Sequence, residues 1–128
     1  MIGIVVVSHS EPLADGVIHL AGQMAPDAVL IGAGGLEDGS LGTSYEKITE
    51  AIEQALDQCS DGVLVCMDLG SAVMTTEMVL DDLDNEKVKM ADCPLVEGVF
   101  TAAVKAPVQT DLEALKKEVE DTWNSRKI

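Results

Sequence analysis

Residues 2–8 read Ile-Gly-Ile-Val-Val-Val-Ser, and residues 62–67 read Gly-Val-Leu-Val-Cys-Met. Neither run alternates apolar with polar side chains, as a strand with one wet face would. Strands of this kind are covered on both sides, which is the habit of parallel sheets sandwiched between helices. The segments between them supply the helices. Residues 12–24 carry Leu13, Val17, Leu20 and Met24 at helical spacing, and Pro12 suits a first helical turn, where its missing N–H costs nothing. Residues 44–59 repeat the pattern with Tyr45, Ile48, Ile52, Ala55 and Leu56, and Thr43 or Ser44 can cap them.

The remaining elements follow the same alternation. A strand is expected over residues 28–33, and a glycine-rich polar loop over residues 34–43. Asp68-Leu69-Gly70-Ser71 opens a third helix reaching about residue 83, in which Met74 and Met78 read as core or interface. A shorter strand spans residues 87–91, and Pro94 leads into a helix over residues 95–105. The last helix begins at Thr110 or Asp111 with Leu112, Leu115, Val119 and Trp123 on its apolar face. The order βαβαβαβαα predicts an α/β fold, a single-domain, open, mainly parallel sheet with helices on both faces. The 128 residues fit one domain, 1–128, without repeat or linker. A strand order near 2-1-3-4 puts the carboxyl ends of strands one and three side by side, where open α/β sheets bind their ligands.

Three loops then converge on one rim. The first holds Ser8-His9-Ser10-Glu11, the second ends in Gly42-Thr43-Ser44, and the third is Met67-Asp68-Leu69-Gly70-Ser71. Each opens a helix, and helix N-termini offer free N–H groups and a positive dipole end to an anion. His9 is one of two histidines; His19 points away from the apolar stripe of its helix and reads as exposed. Imidazole is a nucleophile near neutral pH, and Asp68 is placed to hold its other ring nitrogen. Thr43, Gly70 and Ser71 are expected around a phosphoryl group on His9. Taken singly, Asp68 reads as a helix cap and the glycines as turns; the convergence of three loops raises them to a site. Gly39 to Ser44 lacks the Lys of a phosphate-binding loop for nucleotides, so no bound ATP is expected.

Charge and cysteines narrow the class further. The balance of 8 basic against 23 acidic side chains gives a net charge of −15, which argues against nucleic acid and an anionic membrane surface. It would steer a basic protein partner. Cys59, Cys66 and Cys93 form no Cys-x-x-Cys pair, so no metal site is expected; reduced thiols fit the cytoplasm. The N-terminal run is short and lacks a basic lead, and no stretch has transmembrane length.

Val7-Ser8-His9-Ser10, Gly42-Thr43, Met67-Asp68-Leu69-Gly70-Ser71-Ala72 and Pro94-Leu95-Val96-Glu97-Gly98 together resemble a known family. It is the phosphotransfer subunit (DhaM) of the PEP-dependent dihydroxyacetone kinase, and more distantly the mannose-type IIA domains of the sugar phosphotransferase system. The resemblance implies a cytoplasmic phosphotransferase subunit without cofactor. It implies that HPr phosphorylates His9, which matches the family's active histidine, and that the phosphoryl group passes to ADP held on a kinase subunit. Asp68 matches the acid beside that histidine in mannose-type relatives, and Thr43, Gly70 and Ser71 match loop positions around the phosphate. Appended HPr-like and enzyme-I-like domains found in some members are not expected here. A homodimer is expected on helices three and four through Val73, Met74, Met78 and Val99, whereas the strand exchange of mannose-type relatives is not, because the C-terminus reads as helix. The alternatives are a flavodoxin-like binding module, disfavoured by only 2% aromatics, and a receiver-like module phosphorylated on Asp68.

Overall fold

A computed structural model describes all residues, Met1 to Ile128. Four parallel strands form one sheet: β1 (Gly3–Ser8), β2 (Leu30–Gly34), β3 (Val63–Met67) and β4 (Val88–Ala91). Their order is β2-β1-β3-β4, so the two continuous aliphatic runs are neighbours at the centre, as their composition predicts. Val7 pairs with Ala33 on one side and with Met67 on the other, which brings the ends of β1 and β3 level.

The helices are α1 (Glu11–Met24), α2 (Tyr45–Gln58), α3 (Ser71–Leu83), α4 (Leu95–Lys105) and α5 (Leu112–Glu120), closed by a 3₁₀ turn, Asp121–Asn124. Alternate residues of β1 enter opposite cores. Ile4 and Val6 pack with α1, α4 and α5, while Val5 and Val7 pack with α2 and α3. Cys66 is buried in the first of these cores and behaves as the small apolar residue its strand position predicts. Burial and the neighbouring Cys93 push its thiol well above the ordinary value, with the hydrogen bond to Cys93 the larger cause. No helix is long and apolar enough to cross a membrane.

Three expectations change. The buried face of α1 is Ala14, Val17 and Ala21, whereas Leu13, Leu20 and Met24 are exposed. Two helical stripes share Val17, and the sheet selects the one with smaller side chains. At Gly32 and Gly34 in β2 the strand has no side chain, so α1 lies close, with Ala14 over both glycines and Ile18 reaching over Gly32. Strand two begins two residues later than expected, because a turn after α1 uses the Ala28 N–H on the Ala25 carbonyl. Finally, α3 and α4 cover opposite faces of the sheet, and the four residues expected at a dimer surface differ in exposure. Val99 is fully buried in the core, Val73 is half-buried, and Met74 and Met78 stand exposed rather than in the core. Trp123 lies beyond α5, in the 3₁₀ turn, where its indole N–H donates to the Asp92 carbonyl at 3.0 Å.

Gly34 fixes how α1 leaves the sheet just after His9. A Cβ there would sit 2.7 Å from both the Glu11 Cα and the Ser10 carbonyl oxygen. Backbone cannot rotate aside as a long side chain can. Gly34→Ala is therefore expected to cost about 1–3 kcal/mol, seen as a lower denaturant midpoint at unchanged slope. An unchanged midpoint would contradict the close approach.

Candidate functional site

The end of β1 is clamped by its neighbours before any side chain is considered. The Asp68 N–H donates to the Val7 carbonyl at 3.0 Å, Gly35 N–H to Ser8 at 3.0 Å, and Gly42 N–H to His9 at 2.9 Å. The loops after β1, β2 and β3 thus share one rim, which brings His9, Thr43, Asp68, Gly70 and Ser71 together as the sequence predicts.

Asp68 organises that rim. Its Oδ2 accepts the Ser8 hydroxyl and the His9 backbone N–H, each at 2.9 Å. Its Oδ1 accepts the Leu69 N–H at 2.6 Å and lies 2.9 Å from His9 Nδ1. Burial pushes the carboxyl up, but the N–H groups of His9 and Leu69, the Ser8 hydroxyl and the His9 ring outweigh it and hold the carboxyl below its ordinary value. An ionised carboxylate only accepts, so in the neutral ring the Nδ1 of His9 carries the proton and Nε2 the lone pair. Ser71 Oγ lies 2.7 Å from Nε2 and donates to it. The ring is held at both nitrogens, with its side chain 28% exposed against 10% for Asp68. Nε2 therefore faces the rim, and no cavity of the fold encloses it.

Around Nε2 the rim offers donors. Gly70 has φ +52°, a conformation that strains any residue with a Cβ, and it turns the chain into α3. The N–H groups of Gly70 and Ser71 have no acceptor within the protein. Of the five α-helices, α3 alone has neither a side-chain cap nor an acidic residue in its first turn. Its positive end is left for an anion. Thr43 Oγ1 lies 3.4 Å from Ser71 Oγ and 3.2 Å from Thr75 Oγ1. By contrast Lys47, in the first turn of α2, is committed to the Gly34 carbonyl at 2.6 Å and to Glu11 at 3.4 Å. The helices beside this rim are differently finished: Ser10 caps α1 and Ser44 caps α2, whose first turns hold Glu11 and Glu46.

Sequence reasoning did not single out Ser8 or Thr75. Ser8 is fully buried and orients Asp68 while its oxygen accepts the Ser10 N–H at 3.0 Å. The Ser-His-Ser triplet carried that signal. Thr75 stands one turn after Ser71 on α3, an i, i+4 relation visible in the sequence. Its meeting with Thr43 depends on the path of the second loop. His19 is exposed on α1, away from this rim, as expected.

Three comparisons bear on this geometry. The EIIA-man family model, described as PTS system fructose IIA component, matches residues 3–116. A relative from Lactococcus lactis, the phosphotransferase subunit DhaM of a PTS-dependent dihydroxyacetone kinase, is 37% identical over 118 residues, covering 92% of this chain and 93% of that one. A phosphoryl donor subunit DhaM of PEP-dependent dihydroxyacetone kinase 2 from Listeria innocua is 39% identical over 123 residues, covering 93% and 97%. Among solved structures, that of EF1359, a protein of unknown function, superimposes with a TM-score of 0.82 at 36% identity, over 94% of this chain and 93% of that one.

The carboxylate makes a pH prediction. A folded pKa held below the unfolded value of about 3.9 stabilises the fold above that value, and the contribution is lost as pH falls through the folded pKa. The stability difference between the native chain and Asp68→Asn is expected to be full near pH 6 and to narrow as pH falls below about 4. Chemical denaturation across that range measures it, and a difference that stays constant with pH would contradict the assignment.

Proposed function

The chain belongs to the EIIA-man family and groups there with the DhaM subunits of dihydroxyacetone kinase, and from that premise we propose that His9 carries a phosphoryl group on Nε2 between two protein partners. The observation that carries the reading is the His9 ring fixed by Asp68 at Nδ1, with Nε2 on an open rim beside the free N–H groups of Gly70 and Ser71.

The step balances on this chain's own atoms. The Nε2 lone pair forms a bond to phosphorus as the donor's bond to phosphorus breaks, its electron pair returning to the donor. The His9 ring keeps its Nδ1 proton and becomes cationic, and Asp68 stabilises that charge without taking the proton. The phosphoryl oxygens gain the N–H groups of Gly70 and Ser71 and the hydroxyls of Ser71 and Thr43, donors already fixed where charge develops. Transfer onward reverses the sequence and leaves a neutral ring. Phosphorylated HPr is the donor, and ADP on the ADP-binding kinase subunit is the acceptor, so that dihydroxyacetone phosphorylation is driven by PEP. The protein works in the cytoplasm and needs no cofactor of its own.

The surroundings favour protein partners over a small substrate. Leu41 and Leu69, from the second and third rim loops, and Leu13, in the first turn of α1, are exposed. A rival carrier on Asp68 fits poorly, because both of its oxygens are already filled by donors. Incubation with PEP, enzyme I and HPr is expected to give an acid-labile phosphoprotein, and His9→Ala to abolish it. Normal labelling of His9→Ala would contradict the reading. With a net charge of −15, the KM for phosphorylated HPr is expected to rise with salt; a flat dependence would confine the acidity to solubility.

A further inference from the structure

Thr75 departs from the habit of a helical threonine. Inside a helix the hydroxyl usually returns to the carbonyl one turn back. Thr49 in α2 does so, donating to the Tyr45 carbonyl at 2.9 Å. Thr75 instead has its only hydrogen-bond contact across the rim, with Thr43 Oγ1 at 3.2 Å. Thr43 in turn reaches Ser71 Oγ at 3.4 Å, and Ser71 reaches His9 Nε2 at 2.7 Å. The three hydroxyls form a row that runs from the reactive nitrogen back along α3 and joins the second loop to it.

That row has a consequence for transfer. Before the reaction the Ser71 hydroxyl occupies the Nε2 lone pair. When Nε2 bonds to phosphorus, that hydroxyl has lost its acceptor and must turn to a phosphoryl oxygen. The proton stays on Ser71 throughout. Thr43 is the other hydroxyl within reach of the group, and it stands on a loop rather than on a helix. Gly42, immediately before it, has φ +148° and donates its N–H to the His9 carbonyl at 2.9 Å, which fixes the backbone beside the ring but not the rotamer of Thr43. The link to α3 through Thr75 is what holds the Thr43 hydroxyl to the row.

We propose that Thr75 is a positioning residue for phosphoryl transfer: it holds Thr43 against Ser71 so that both hydroxyls meet the phosphoryl oxygens. This rests on the reading that His9 carries the phosphoryl group. Thr75 itself touches neither His9 nor the transferred group.

The test uses the full chain with PEP, enzyme I and HPr. Thr75→Val keeps the branched shape and removes the hydroxyl; Thr75→Ser keeps the hydroxyl. Thr75→Val is expected to lower the kcat for phosphorylation about three- to tenfold at unchanged KM for phosphorylated HPr, the signature of a group felt in the transition state alone. Thr75→Ser is expected to stay within about twofold of the native rate. The double variant Thr43→Val, Thr75→Val is expected to be no slower than Thr43→Val, because Thr75 acts through Thr43. If Thr75→Val melts below the assay temperature, Thr75→Ala is compared with Thr75→Ser, a pair that differs by the hydroxyl alone. Native kcat without the hydroxyl would overturn the proposal, as would fully additive losses in the double variant. Absence of label from the native chain, or label persisting in His9→Ala, would overturn the phosphocarrier reading instead, independently of any Thr75 variant.

Discussion

The carboxylate of Asp68 is the joint on which the site depends. It stands at the end of β3 and takes four donors, of which three come from the end of β1. The two central strands are therefore tied together at the point where both stop being strands. The same contacts that hold the chain there also decide the chemistry. They keep the acid ionised, which places the proton on Nδ1 and the lone pair on Nε2. Had Asp68 been neutral, it could donate to the ring, and the direction in which His9 is reactive would no longer be fixed.

Most of the architecture was legible because it rests on strong and local signals. The two unbroken aliphatic runs required a covered parallel sheet, and the glycine and proline punctuation marked where helices begin. The face of α1 was not legible. Leu13, Leu20 and Met24 are larger and more apolar than Ala14, Ala21 and Ala25, so a reading by hydrophobicity selects the wrong stripe. Closeness of approach settled the matter, and that depends on glycines in β2, an element distant in sequence from the helix face they select. Val99 was likewise misread as surface, because nothing in the helix itself says that α3 and α4 lie on opposite sides of the sheet.

The site divides in the same way. His9 and Asp68 were legible because strand order alone brings their loops together. Ser71 was legible as a rim residue from its place at a helix start, but not as the partner of the free imidazole, which is a matter of side-chain rotamer. The Thr43–Thr75 contact joins a loop to the second turn of a helix, and no periodicity in the sequence expresses it. What the fold adds to the motif is thus a row of hydroxyls, of which Ser71 meets the ring; on the proposed reading Ser71 and Thr43 would turn to the phosphoryl group once His9 carries it. Leu41 and Leu69, in the loops of that rim, are exposed, and the chain carries a net charge of −15, features that accord with the proposed exchange between proteins.

The role of the rim turns on which nitrogen of His9 faces outward. Nitrogen NMR of the chain, with its histidines labelled in the ring, reads this directly before and after phosphorylation. The resting ring should show a protonated Nδ1 and an unprotonated Nε2, and phosphorus coupling should then appear at Nε2 while Nδ1 keeps its proton. A phosphoryl group bonded to Nδ1 would contradict the role assigned to Asp68 and, with it, the whole arrangement of the rim.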